Sequence, residues 1–195
     1  LKVHHSNLCS EITLPTNEER TAVCCLSSLN IEKFDEWKDN DQFLEDMMRM
    51  LDNALQQFID NAPPEMSKAV FSAMRERSVG LGQLGFHYYL MSKDIPFESA
   101  VAIGQSRMIA KHIHEKCMEA NLKLGEERGE ALDMEGTGKR FSHMIAIAPT
   151  ASNSIICGTS PGIEPLAANA YVHKTQAGSY GVRNKYLKPV LEKYD

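Results

Sequence analysis

The sequence predicts an α/β fold, and three stretches carry the prediction. "TAVCCLSSLNI" at 21–31 is β-branched and apolar enough for a buried strand. "DQFLEDMMRMLDNALQQFID" at 41–60 repeats apolar side chains at helical spacing, and "HMIAIA" at 143–148 is again a short apolar run. Strands and long helices interleave along the chain, which is the order of an α/β layer arrangement.

The opening stretch "LKVHHSNLCSE" reads as extended, and alternate side chains of an extended segment point to one side. Asn7, Cys9 and Glu11 then converge on one small volume where a core strand would place Val, Ile or Leu. Something polar is expected opposite them. "PTNEER" is a turn into the first buried strand. In the helix that follows, Leu44, Met47, Met48, Leu51, Leu55, Phe58 and Ile59 share a face, and its Asp-rich start suits a helix N-terminus. Its Met cluster could line a promiscuous groove, but core filling is the commoner use of Met. Pro63-Pro64 close the element. A second long helix is expected from about Glu98 to Glu127, burying Val101, Ala110, Ile113, Cys117, Ala120 and Leu124. A short buried strand, Met144 to Ala148, then gives way to a polar turn starting at Pro149.

At 195 residues, 43% hydrophobic and 24% charged, the chain has ordinary soluble composition, enough for one core or part of a larger one. A formal charge of -5 argues against a general nucleic-acid surface. No run approaches the roughly 18 apolar residues of a membrane helix, and "LKVHHS" is not a signal peptide. The expectation is a cytoplasmic protein with no membrane or direct nucleic-acid partner. The chain also lacks an initiator Met, so a fragment or one part of a divided subunit is expected. Five cysteines without regular spacing, in a reducing compartment, are not a disulfide framework. No C-x-x-C pair occurs and adjacent Cys24-Cys25 is poor zinc spacing, so no metal site is expected.

Three motifs invite chemistry. "GLGQLG", Gly80 to Gly85, matches the dinucleotide pattern G-x-G-x-x-G, but the charged, helix-like "KAVFSAMRERSV" stands where a strand is required. Close packing of the "GFHYYL" helix is the expected reason for these glycines, and Tyr88-Tyr89 reads as packing of the same helix. His5 shares the parity of Cys9, which is the geometry behind a Cys-His nucleophile; surface or packed histidines are far commoner. "APTASNS", Ala148 to Ser154, offers hydroxyls and free amides after a strand, and such a turn into a helix can hold a phosphate without Lys or Arg.

Taken in order, "SNLCSE", "AVCCLSS", "RSVGLGQLGFHYYL", "GTGKRFSHMIAIAPTASNSIICGTSPGIEP" and "VHKTQAGSY" resemble the large catalytic subunit of class I ribonucleotide reductase, with loops similar to phage-type versions. The resemblance covers almost the whole chain. It implies a single catalytic barrel domain over 1–195: roughly the second half of a ten-stranded α/β barrel, with the N-L-C-x-E stretch as a finger loop threaded through it. The N-terminal barrel half, the regulatory region and the C-terminal tail would lie outside.

The resemblance also implies roles. Cys9 matches the thiyl radical that takes the ribose 3′-hydrogen, Glu11 the general base on the 3′-hydroxyl, and Asn7 the amide that orients the ribose hydroxyls. Cys24 matches one of two thiols that close to a disulfide while supplying two electrons. Cys25 is a departure from many relatives; adjacent strand residues face opposite ways, so Cys25 is expected in the core. Pro149, Thr150, Ala151, Ser152 and Asn153 match the loop that binds the substrate diphosphate, with backbone amides and the Thr150 and Ser152 hydroxyls as ligands; Ala151 lacks a polar side chain that some relatives have. The partner thiol of Cys24, the effector site for ATP or deoxynucleoside triphosphates, the tyrosine relay and the shuttle cysteines would lie beyond this segment. No cofactor is expected in the chain itself: a metal-containing small subunit supplies the radical, and thioredoxin or glutaredoxin the electrons. The isolated segment is then expected to be inactive. Readings of a different class are an inert helical interaction module that retains the fold, and the Cys-His hydrolase.

Overall fold

The computed structural model describes residues 2–176 and 178–194. In order they form β1 (His5–Ser6), β2 (Thr13–Leu14), β3 (Cys25–Asn30), α1 (Phe34–Trp37), α2 (Asp41–Asn61), α3 (Ser67–Glu76), β4 (Val79–Leu84), α4 (Phe86–Ser92), α5 (Ala100–Arg128), α6 (Ala151–Cys157), β5 (Ala170–Thr175), β6 (Gly178–Arg183) and α7 (Leu187–Leu191).

The centre of the fold is a parallel pair, β3 and β4, in register from Cys25↔Val79 to Asn30↔Leu84. Parallel neighbours need a long crossover, and α1 to α3 supply it. A third parallel segment lies against β4 through the Leu81↔Ile145 bridge. Its hydrogen bonds run from Val79 N to His143 O (3.1 Å) and from Leu81 N to Met144 O (3.0 Å). The strand expected over Met144–Ala148 is reduced to this short contact. Two antiparallel hairpins, β1–β2 and β5–β6, complete the strands.

The helices pack on one face of the pair. α2 begins at an Asn40 cap whose Oδ1 accepts from Gln42 N, α5 at a Ser99 cap whose Oγ accepts from Ala102 N. Both helices match the sequence prediction to within two residues. Leu44, Met48, Leu51 and Leu55 of α2 meet Ile109, Ile113, Cys117 and Leu124 of α5 over Leu29, Val79 and Leu81. Tyr88 and Tyr89 are buried as expected, and Met48 is fully buried core filling. In the first turns of α5 the buried stripe lies one residue away from the expected one. Ala102 and Ile109 are inside while Val101 is 57% exposed and Ala110 is exposed. Ala102 lines a groove of about 390 Å³ with Phe86 and Phe97.

The glycines of "GLGQLG" do something other than pack a helix. Gly80 and Gly82 lie inside β4, a strand the sequence prediction missed because glycine weakens the strand pattern. A Cβ on Gly82 would stand 2.4 Å from the Ala146 carbonyl oxygen, and one on Gly80 2.5 Å from Leu26. Gly82 therefore admits the Ala146–Ile147 backbone, and Gly80 the side chains of Leu26, Ala146 and Ile12. Only Gly85, at φ +85°, caps a helix. Because the pattern occupies the strand instead of a strand-to-helix turn, the dinucleotide reading has no structural basis.

At the base of β4 one carboxylate gathers three guanidinium groups. Asp52, 1% exposed, accepts from Arg77 Nη2 (2.6 Å), Arg128 Nη1 (2.7 Å) and Arg140 Nε (3.1 Å). Arg77 sits in the left-handed region at φ +43°, and its paired bonds to Asp52 hold it there.

Candidate active site

The expectation of an extended 7–11 segment fails. Asn7 N donates to Ile12 O (2.9 Å), Ser10 N to Asn7 O (3.1 Å), and Ile12 N to Asn7 Oδ1 (3.1 Å). With Ser10 at φ +64°, the stretch is a tight turn between β1 and β2. A short polar side chain that can bond its own backbone favours a turn over a strand, and Asn7 does this. Its carbonyl oxygen holds the turn, while its NH2 group donates to no described residue. Leu8, 99% exposed, and Cys9, also exposed, stand at the tip. The turn also removes the parity that linked His5 to Cys9, and with it the geometry behind the nucleophile reading.

Behind the tip the hairpin is anchored. Ile12 and Leu14 are buried with Ala146, and Ala22 and Cys24 pack against them. Gly80 makes this possible, since a Cβ there would come within 3.1 Å of Ile12 Cδ1. Glu11 is thereby drawn inward. Both of its carboxylate oxygens are enclosed and hydrogen-bond to no described residue. A buried carboxylate without donors is costly, and such groups mark positions reserved for something else.

Burial pushes the Cys24 thiol up to about 12, and the charges of Cys25, Glu11 and Glu76 add to it. The Ser78 hydroxyl pulls the other way, by more than any of these charges. Cys24 thus keeps its proton at neutral pH. Cys25, one residue on, belongs to the helix-side core with Leu29 and Val79. The two thiols lie on opposite faces of the sheet.

The Pro149–Asn153 loop lies towards the other, C-terminal end of the two strands, beside Leu84. Pro149, Thr150 and Asn153 line an open groove of about 310 Å³ with Ser27, Ser28 and Leu84. Thr150 is buried and its Oγ1 accepts from Gly162 N (2.8 Å), leaving the hydroxyl proton available. The first amides of α6, at Ala151, Ser152 and Asn153, precede the first intrahelical bond, from Ser154 N to Thr150 O (2.8 Å). Ser152 does not join the groove: it lines a neighbouring apolar one with Ile155, Ile156 and His173. The expected pairing of the Thr150 and Ser152 hydroxyls is therefore split.

Several groups escaped the sequence reading. Ser78 is fully buried beside Cys24, its hydroxyl unbonded among the described residues. Cys157 lines the groove one helical turn after Asn153, a spacing that could have found it. Ser28 shares the glycine side of β3 with Leu26, which only knowledge of the strand pairing reveals. Among the described residues no group of three or more His, Cys, Asp and Glu could hold a metal. Among the described residues no helix is long and apolar enough to cross a membrane.

Comparison with known proteins places these residues in context. A family model described as the ribonucleotide reductase barrel domain matches residues 1–137 and 132–195. The chain is 54% identical over 98% of its length to the ribonucleoside-diphosphate reductase large subunit of Invertebrate iridescent virus 3, covering 31% of that protein. It is 47% identical over 98% of its length to a putative large subunit of the same enzyme from Frog virus 3, covering 34%. Among solved structures, the class Id ribonucleotide reductase alpha subunit of Actinobacillus ureae superposes with a TM-score of 0.89 at 37% identity, over 98% of this chain and 35% of that one. The chain thus spans about a third of the length of each of these relatives.

Proposed function

The chain belongs to the ribonucleotide reductase barrel-domain family, and on that premise we propose that it carries the catalytic centre of a ribonucleoside-diphosphate reductase, forming 2′-deoxyribonucleoside diphosphates. The observation that carries the reading is Glu11: a carboxylate closed off from water, hydrogen-bonded to no described residue, and within electrostatic reach of Cys24.

The roles follow from the chemistry of each group. A radical delivered by a separate small subunit leaves Cys9 as a thiyl, at the exposed tip where a sugar can reach it. The Cys9 sulfur takes the 3′-hydrogen atom and becomes a thiol. Glu11 accepts the 3′-hydroxyl proton, a transfer worth roughly 10²–10⁴-fold in rate. The Asn7 NH2 group donates to a ribose oxygen. Cys24, holding its proton because its pKa lies near 12, protonates the departing 2′-hydroxyl, which leaves as water. The second thiol gives its hydrogen atom to C2′, and its sulfur joins the Cys24 thiolate in a disulfide radical anion. That species passes its extra electron to the 3′-carbonyl as Glu11 returns the proton. A C3′ radical and a disulfide remain, so the two electrons come from the thiol pair. Cys9 then returns its hydrogen to C3′ and is again a thiyl, so atoms and electrons balance. The Thr150 hydroxyl and the leading amides of α6 would hold the diphosphate. The second thiol, the effector site and the docking of the small subunit would come from catalytic-chain segments outside residues 1–195, and a thioredoxin or glutaredoxin would reopen the disulfide.

The test is formation of deoxynucleotide from ribonucleoside diphosphate with the small subunit and dithiothreitol. The 195 residues alone should give none; addition of the remaining catalytic-chain segments should give turnover. Cys9→Ser should then abolish it with the circular dichroism unchanged, because a hydroxyl of nearly the same shape does not carry the radical. Persistent turnover in that variant would remove Cys9 from its role.

A further inference from the structure

Just past β3, Glu32 places a carboxylate, 8% exposed, among three donors. Thr159 Oγ1 donates to its Oε2 at 2.7 Å, Tyr186 OH to its Oε1 at 2.6 Å, and Lys185 Nζ approaches Oε1 at 2.6 Å. Burial alone would raise this carboxyl, yet Lys185, Tyr186 and Thr159 together hold it below the usual carboxylate range. Lys185 Nζ also donates to Gly158 O at 2.8 Å and stands 4.9 Å from the centre of the Tyr88 ring.

These bonds meet on a short knot, residues 158–162, that returns from the end of α6 to its beginning. Thr159 N donates to Ser154 O (2.9 Å), and Gly162 N to Thr150 Oγ1 (2.8 Å). The β4–α4 junction grips the knot through backbone alone, Gly85 N to Ser160 O (2.8 Å) and Tyr88 N to Ser160 Oγ (3.2 Å). Gly85 has no side chain because a Cβ would stand 2.6 Å from Thr159 Oγ1 and 2.7 Å from Asn30 Oδ1. From the β3 side, the grip is the Glu32 side chain.

We infer that Glu32 is a positioning residue for substrate binding: by clamping Thr159 and Lys185 it fixes the 158–162 knot, and through Gly162 the Thr150 end of the diphosphate loop. The inference rests on the reading of Pro149–Asn153 as that loop. A buried carboxylate with three short, directional bonds specifies a position more narrowly than an apolar contact, which tolerates sliding. Glu32 has no place in the bond-making steps assigned to Cys9, Glu11 and Cys24, so its loss should weaken binding before and during reaction alike.

The experiment uses a turnover-competent catalytic chain with its small subunit, and CDP as probe. Glu32→Ala should raise KM for CDP roughly tenfold with kcat within about twofold, the signature of lost uniform binding. Direct equilibrium binding of CDP should weaken by the same factor. Glu32→Gln, which keeps one acceptor oxygen for either Thr159 or Tyr186, should recover part of the affinity. Tyr186→Phe and Thr159→Val, each removing one donor, keep the test open should Glu32→Ala fold poorly; each should raise KM by roughly twofold to fourfold. A variant set that lowers the thermal midpoint but leaves KM and CDP binding unchanged would overturn the inference, showing Glu32 to be a stability element only. Unaltered protein that turns over yet loses no CDP affinity on replacement of Thr150 or Asn153 would overturn the loop reading, and this inference with it.

Discussion

The two faces of the β3–β4 pair differ in what they leave unbonded. On the helix side, Cys25, Leu29, Val79 and Leu81 meet α2 and α5 in a dense apolar core. On the other side, Gly80 and Gly82 withdraw their side chains, the 144–147 backbone and the β1–β2 hairpin move in, and Cys24 faces Ile12 and Leu14. The orphaned polar groups, Glu11 and Ser78, gather near Cys24 on this second side. One face of the same two strands is built for stability; the other holds chemistry in place at some cost to stability. Substitutions on the two faces should therefore fail in different ways.

The largest separation is expected at Glu11. Glu11→Gln should lower kcat by roughly 10²–10⁴-fold while the unfolding free energy stays level or rises, because an unpaired buried charge has been removed. A variant that loses activity and stability together would make Glu11 a structural group and erase the contrast between the faces. Opposite behaviour is expected at Leu81, fully buried in the helix-side core. Leu81→Ala should cost about 2–5 kcal/mol in denaturant unfolding, with CDP binding by the folded fraction unchanged.

Gly82→Ala tests the boundary between the faces. The new methyl would meet backbone and not a flexible side chain, at 2.4 Å from Ala146 O. It should cost about 1–3 kcal/mol and should also disturb the 146–150 segment, visible as faster amide exchange there than in α2. Equal exchange in both regions would mean that the strain spreads through the core.

The thiols give a subtler test. After one turnover without external reductant, peptide mapping should find Cys24 in a disulfide and Cys25 free; a bridge to Cys25 would reverse the assignment of faces. The smallest effect expected is on pH dependence. Cys24 is raised from 9.0 to about 12 in the folded chain, so above pH 9 the unfolded chain loses this proton while the folded chain keeps it. Its contribution to stability is complete below pH 9 and is lost as pH rises from 9 towards 12. Cys24→Ser should flatten that alkaline limb, measured against Cys117→Ser, whose thiol is likewise pushed up to about 12 by burial.

The two long helices were legible from periodicity, α2 throughout and α5 from Ile113 onward, where Ile113, Cys117, Ala120 and Leu124 are buried as their spacing predicts. The glycine-rich strand was not legible, since β4 exists through its partners: Gly80 and Gly82 have poor strand propensity, and what selects them is the Leu26, Ala146 and Ile12 side chains at one and the Ala146–Ile147 backbone at the other. The first turns of α5 were not legible either, with Ala102 inside and Val101 outside.

For the candidate site, residue types and alternate spacing singled out Asn7, Cys9 and Glu11 as polar groups where a buried strand would carry apolar ones, whereas Cys24, the Pro149–Asn153 loop and every role came from the family resemblance. Local pattern is written in neighbouring residues, so the sequence by itself determined the α/β class, the two helices and the separation of Cys24 from Cys25 by strand parity. Tertiary structure alone decided that Ser152 leaves the groove Thr150 lines and that Ser78 and Glu32 matter at all. Those facts depend on contacts between residues up to 154 positions apart, as between Glu32 and Tyr186, and no period or propensity within a short window records such a contact.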